Sequence, residues 1–491
     1  MAALVTAGFL VALEIAARHY GTPGPITTQA REVIHAPRSG GMLYAAMALM
    51  LVVLTWRQRC VAVATAIGID LAFLVVRWAA GIDTAGGHPV GNGALWVILG
   101  VVVVAVTRRT GPERVLLLKG AGLALLLMAG RKTGDTWLLI TSKTRPMVLD
   151  QYVATADHAL GDPSWLVGRV VTATGAVGFN VLDFVYGNLA VAAVIVALYQ
   201  LRHVSAERRF PRHHLVRTFL VIGLIGPAFY MIYPVVGPLY VYGTGTEYWS
   251  AVSLWAPDMP PSAPWAVAEL WPDTLPPVGA PQPMPFDGIT PRNCMPSLHT
   301  AWATAIFIHT RKGPRLLRHA GTFWLIATVC ATLGFGYHYA ADLLAGVVFT
   351  LTIEAALRAY DRDGDRAGLL LAACGGVVFT ALLLSYRWLP LQMAQHPWVA
   401  GPLLLLATAS VIHRYVRTTG QWTRNTPPAG LPEPPPEPAA VDRRAVDRGN
   451  GGAGADPAQR VPAPRGGDDR QASASASAAG AGTSAETDAE S

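Results

Sequence analysis

Two stretches of the sequence bring together residue types that could handle a phosphate group. One reads Arg292-Asn-Cys-Met-Pro-Ser-Leu-His299-Thr and the other Gly336-Tyr-His338-Tyr-Ala-Ala-Asp342-Leu-Leu-Ala-Gly346. His338 and Asp342 are four apart, so on a helix they share a face and the carboxylate reaches one imidazole nitrogen. That contact fixes the tautomer and leaves the other nitrogen as a nucleophile. His299 opens a neighbouring apolar block at matching depth, where it could protonate a leaving oxygen. Pro296 and Ser297 at a helix start offer a pre-set first turn and a hydroxyl beside free backbone N–H groups, which suits an anion. Arg292 adds a planar fork that matches phosphate oxygens. Two histidines with separate tasks fit a covalent phosphoryl transfer. A metal held by His299, His338 and Asp342 is the weaker reading, because no further carboxylate or histidine stands at ligand spacing nearby. No cofactor is expected.

The elements that must carry these residues are membrane helices. The chain has 491 residues, 52% of them hydrophobic and 14% charged, where a soluble domain carries about 25% charge. The apolar residues gather into blocks long enough to cross ~30 Å of hydrocarbon. Blocks near 3–18, 41–56, 60–80, 93–107, 115–130, 181–201, 216–239, 297–310, 320–337, 340–357, 367–386 and 398–416 predict an all-α polytopic bundle of about twelve spans. The first block contains Glu14 and follows no basic residue, so it reads as a span and not a leader. Basic residues fall in short clusters, such as Arg57/Arg59, Arg108/Arg109/Arg114, Arg311/Lys312/Arg315/Arg318 and Arg358/Arg362/Arg366. These mark the cytoplasmic side.

With twelve spans both termini share that side, and the 240–291 loop, which has no Lys or Arg, lies outside. Both histidine stretches then reach the outer face of a multi-pass protein of the cell membrane. The net charge of +7 is spent on these clusters, which form no single stripe for a nucleic acid. Four dispersed cysteines indicate neither a disulfide framework nor a zinc site.

Four regions follow: N-terminal helices over 1–114, a core over 115–357, C-terminal helices over 358–416, and a Pro/Ala/Gly/Ser-rich tail over 417–491 that cannot bury enough apolar surface to fold. The mixed-charge segment 131–180 reads as interfacial helices. Asp70 and Arg77, two turns apart, read as a buried partner pair, and Glu354 and His309, near cytoplasmic ends, as residues reaching water.

The stretches MPSLHTAW and GYHYAADLLAG resemble the second and third signature motifs of the type 2 phosphatidic acid phosphatase superfamily. Leu298, where lipid phosphatases of the superfamily usually have Gly, is similar to the inositolphosphotransferase branch typified by inositol phosphorylceramide synthases. The resemblance implies a six-helix core, here about 115 to 357. It also implies a metal-independent reaction in which His338 attacks phosphorus, Asp342 orients it and His299 protonates the leaving group.

Ser297 would hold the phosphate, with Arg292 added by its chemistry. The phosphohistidine would pass to water or to a polyol or other hydroxyl acceptor, and the substrate would be a membrane lipid phosphate. The superfamily's first motif, a Lys and an Arg-Pro, should fall near Tyr230–Pro238, where no basic residue stands. Arg292, or Lys143 and Arg145 folding in from 131–180, would then meet the phosphate charge. The alternatives are a transporter or lipid-binding protein that uses the histidines as a relay or clamp, and an inactive family member. Oligomeric state is not legible.

Overall fold

A computed structural model of the chain describes residues 2–82, 87–242, 278–284, 286 and 290–424. Most of the 240–291 loop and all of the tail beyond 424 lie outside the described residues. Eighteen α-helices are described. The first six are α1 (Ala2–His19), α2 (Pro25–Arg31), α3 (Gly40–Leu51), α4 (Trp56–Ala79), α5 (Asn92–Arg108) and α6 (Gly111–Thr144). The next six are α7 (Asp150–Asp157), α8 (Pro163–Gly187), α9 (Leu189–Leu201), α10 (Val204–Glu207), α11 (Leu215–Ile232) and α12 (Pro238–Tyr242). The last six are α13 (Leu298–Thr310), α14 (Arg315–Gly334), α15 (Ala340–Asp361), α16 (Arg366–Trp388), α17 (Pro390–Gln395) and α18 (Pro397–Arg424). Two residue pairs, β1 (Met147–Val148) and β2 (Gln282–Pro283), join antiparallel.

The architecture is an all-α membrane bundle. Among the described residues eight helices are long and apolar enough to cross a membrane: α4, α8, α9 continued through α10, α11, α14, α15, α16 and α18. Gly40–Leu51 and Asn92–Arg108 are shorter apolar helices. The segment 131–180 differs from its expected interfacial placement. Its first part extends α6 to Thr144, and its last part belongs to α8, itself a candidate span. Arg169 and Asp183 dilute the hydropathy of α8, and Gly175, at a positive φ of 60°, interrupts its helical pattern. A glycine tolerates that conformation.

The N-terminal helices hold their polar groups inside. Asp70 and Arg77 are both buried, but they serve different partners. The Asp70 carboxylate accepts from Tyr44 Oη at 2.6 Å and from the N–H groups of Gly91 and Gly93 at 2.8 and 2.7 Å. Arg77 donates to Asn92 Oδ1 at 2.8 Å and to the Ile34 carbonyl at 3.1 Å. Lys132 and Glu32, both buried, pair at 2.6 Å and tie α6 to the chain just after α2.

The far ends of α13 and α15 hold a second buried network in place of the expected reach to water. Glu354 is fully buried. Its Oε1 accepts from Thr218 Oγ1 at 2.6 Å and faces His309 Nε2 at 2.8 Å. Its Oε2 accepts from Arg358 Nε at 3.0 Å and faces His213 Nε2 at 3.1 Å. Breaking a buried ion pair from one side strands the remaining charge, at about 3–5 kcal/mol. Glu354→Ala is therefore expected to lower the thermal midpoint of the detergent-solubilised protein sharply. An unchanged midpoint would contradict this role.

Candidate active site

α13 and α14 form a hairpin that returns the chain to the end of the bundle where α13 began, so the two histidine stretches meet. Ser297 precedes α13 in extended conformation, and its Oγ accepts from the Thr300 N–H at 3.3 Å, a side-chain N-cap. The Ser297 N–H donates to the Asp342 carbonyl at 3.1 Å, which links this cap to α15. Gly346 permits the approach: a Cβ there would stand 2.5 Å from the Ser297 carbonyl oxygen.

His338 sits two residues before α15, outside the helix, and not within one as the four-residue spacing suggested. The proximity to Asp342 comes from the cap instead. Tyr339 is the N-cap, and its N–H donates to Asp342 Oδ2 at 3.0 Å. That same oxygen lies 3.4 Å from His338 Nδ1. Burial pushes the His338 imidazole down to about 3, against a backbone contact from Cys294. The ring is neutral near pH 7 and keeps a lone pair for attack.

His299 faces it, with ring centroids 6.4 Å apart. The Tyr186 ring, from the end of α8, stacks on His299 at 4.1 Å, and its Oη lies 3.1 Å from Nδ1. A hydroxyl can donate to Nδ1 of the neutral ring or accept from the imidazolium. Only the imidazolium is a general acid, and burial, with the neighbouring His338 and Arg131, pushes the His299 imidazole down to about 3, so the ring takes up its proton when an anionic phosphate is beside it.

The His338 loop is braced by residues whose roles lie far from it in sequence. Asp150, fully buried, accepts from the N–H groups of Val236 at 3.0 Å and Gly237 at 2.9 Å, and from Tyr339 Oη at 3.2 Å. Burial pushes its carboxyl up to about 7, opposed by those N–H groups and assisted by the Asp342 charge. Asp157 Oδ1 accepts from the Ala341 N–H at 2.8 Å, and Ser164 Oγ donates to the His338 carbonyl at 2.9 Å. All three lie in the segment 131–180, whose mixed charge predicts interfacial helices. The available signal was the seven-residue spacing of Asp150 and Asp157, two turns along one face. The stretch where a first basic motif was expected supplies backbone to this brace. Gly237, at a positive φ of 98°, has no room for a Cβ, which would stand 2.4 Å from the Tyr337 carbonyl oxygen.

Cys294, His338 and Asp342 offer ligand atoms within 4.8 Å of one another, the one metal-capable group on this side among the described residues. Cys294 Sγ donates to the Tyr337 carbonyl at 2.9 Å, and burial pushes its thiol well up. A thiol held protonated is a poor ligand, so the trio does not fit a cation well.

A cavity of about 370 Å³ opens beside His299, between α6, the junction of α8 and α9, α11 and α13. Leu127, Leu138, Phe219, Leu220, Leu298 and Trp302 form apolar wall. Arg131 and Asp135 enter it from α6.

The expected phosphate ligands are placed unequally. Ser297 adjoins His299 at the cap. Arg292 is fully buried and donates Nη2 to the Met284 carbonyl at 2.6 Å, while its neighbours Pro291 and Asn293 line the cavity. Lys143 donates to the Tyr20 carbonyl at 2.8 Å, and Arg145 to the Met231 carbonyl at 2.8 Å. None of these three basic residues lines the cavity.

Residues 151–356 match the family model described as PAP2 superfamily. Residues 1–140 match one described as Domain of unknown function (DUF5933). No curated protein and no solved structure matches the chain. The superfamily match and the apolar helices together support a membrane protein of the lipid phosphatase or phosphotransferase type.

Proposed function

We propose that this superfamily-type membrane protein cleaves a lipid phosphate through a phosphohistidine on His338. The observation that carries the reading is the facing pair, His299 and His338, 6.4 Å apart at their centroids with Asp342 behind His338. Of the two rings only His299 lines the cavity, and the 6.4 Å between centroids matches a phosphorus held at the near-attack contact of about 3–3.5 Å from His338.

In the first step the Nε2 lone pair of His338 forms a bond to phosphorus and the bond from phosphorus to the leaving oxygen breaks. The leaving oxygen takes the Nε2 proton of the His299 imidazolium, the form that the bound phosphate dianion favours, and His299 is left neutral with a free Nε2 lone pair. Asp342 holds the His338 ring and stabilises the positive charge it gains. In the second step an incoming hydroxyl gives its proton to His299 and its oxygen to phosphorus, which releases His338. Water as acceptor makes the protein a phosphatase and a hydroxyl acceptor makes it a phosphotransferase, inositolphosphotransferase-like where the group carried on His338 is itself an inositol phosphate. The Ser297-Leu298-His299 motif favours the second. Leu298 both lines the cavity and fills the space left by Gly226.

Nothing in this scheme requires a metal. Purified protein given a panel of lipid phosphates, with and without inositol, is expected to turn over at the same rate in EDTA. Loss of turnover in EDTA would sink the metal-free mechanism, and no turnover with folded protein would favour lipid binding alone.

The basic clusters at 202–217, 311–318 and 358–366 lie at the opposite helix ends, which supports a site at the extracytoplasmic face. Buried Cys294 cannot report this. Gly279→Cys is expected to gain labelling by an impermeant thiol reagent on intact cells, and Arg209→Cys only after permeabilisation. The reverse pattern would invert the topology.

A further inference from the structure

We propose that the N-terminal region completes the active site, with Arg131 of α6 binding the phosphate of a lipid whose chain lies in the cavity beside His299. The proposal rests on the lipid-phosphate reading above and names where that phosphate finds its cation. Arg131 and Asp135 fall in the residues matched by the N-terminal family model, 1–140, and outside the superfamily match, 151–356.

Three observations converge on α6. First, Arg131 and His299 line the same cavity, and Arg131 is the only Lys or Arg among the described residues that do. Second, the cationic groups expected for phosphate are turned to backbone carbonyls, as Arg292, Lys143 and Arg145 show. Third, α6 is held in rotation by the neighbouring residue. Lys132 is pinned to Glu32 at 2.6 Å in a buried pair, and successive helical residues point about 100° apart, so Arg131 is presented to the cavity.

Gly134, one turn on, lines the cavity too, and a Cβ there would meet nothing within 4 Å, which leaves open space beside the guanidinium. Asp135 Oδ2 holds Arg131 Nε at 3.2 Å, with the two side chains 45% and 56% exposed. An exposed pair of this kind is weak. It orients the fork and leaves the terminal N–H groups for phosphate oxygens. The apolar wall beyond it suits an acyl or polyprenyl chain.

Trp302 lines the cavity and reports its occupancy. The test uses full-length protein in detergent micelles, in the His338→Ala background so that the probe is not consumed. Phosphatidic acid with brominated acyl chains is compared with brominated diacylglycerol of the same chains, and the cavity signal is the quenching lost in Trp302→Phe. Phosphatidic acid is expected to quench at lower mole fraction than diacylglycerol. Arg131→Gln is expected to weaken the phosphatidic acid response about tenfold or more and to leave the diacylglycerol response, which reports an intact cavity, unchanged. Arg131→Lys should recover part of the loss.

Retention of the phosphatidic acid preference in Arg131→Gln would overturn the proposal, as would absence of Trp302 quenching by either lipid. Turnover separates this from the parent reading. Wild-type kinetics in Arg131→Gln with a dead His338→Ala would refute the Arg131 assignment alone. A lost preference in Arg131→Gln with an active His338→Ala would refute the phosphohistidine alone.

Discussion

His338→Ala is expected to lose turnover of a lipid phosphate by about 10⁴-fold or more, the scale on which removal of a nucleophile acts, with little change in thermal midpoint. Structural and chemical roles separate here because the brace is not made by the imidazole. The His338 carbonyl accepts from Ser164 Oγ, its N–H donates to the Thr332 carbonyl, and Asp342 Oδ2 caps α15 through the Tyr339 N–H. The alanine variant keeps all three bonds and removes the imidazole. Wild-type rates in this variant would remove His338 from the reaction.

His299→Gln is expected to lose about 10²–10⁴-fold with an alkyl lipid phosphate, the range of general acid–base catalysis. The loss should depend on the leaving group. An alkoxide leaves poorly without a proton, whereas an aryl oxygen of low pKa leaves unaided, so an aryl phosphate substrate is expected to recover most of the rate of the first step. The Gln side chain can still meet Tyr186 Oη, which keeps the stack position filled. Equal losses with both substrates would show that His299 binds the phosphate and does not protonate the leaving oxygen.

The parts of the site that were legible in the sequence are those whose geometry is local. Ser297 caps the helix that starts at Leu298, and His338 and Asp342 meet within five residues, so short motifs carry them. Tyr186, Asp150 and Asp157 were not legible because their partners lie 113, 189 and 184 residues away, and no local pattern encodes a tertiary hydrogen bond. The spans with unbroken apolar runs, such as α14 to α16, appear where the hydropathy places them. α8 departs from the expected placement because Arg169, exposed in its second turn, lies over the Trp165 ring at 4.4 Å, and hydropathy alone reads such a residue as a boundary. Asp70 and Arg77 show the converse error. Their spacing does put both inside, but burial selected a tyrosine hydroxyl, an asparagine and backbone groups as partners, each within 3.1 Å at its closest.

The central claim is a covalent bond between phosphorus and His338. Rapid acid-free quenching of the protein during turnover of a phosphorus-labelled lipid phosphate is expected to trap a protein-bound phosphate that survives alkali, is released by mild acid, and maps to the peptide containing His338. The adduct should be absent from His338→Ala and should form on His299→Gln only with an aryl leaving group. Turnover without any trapped adduct, or an adduct mapped to another residue, would contradict the account.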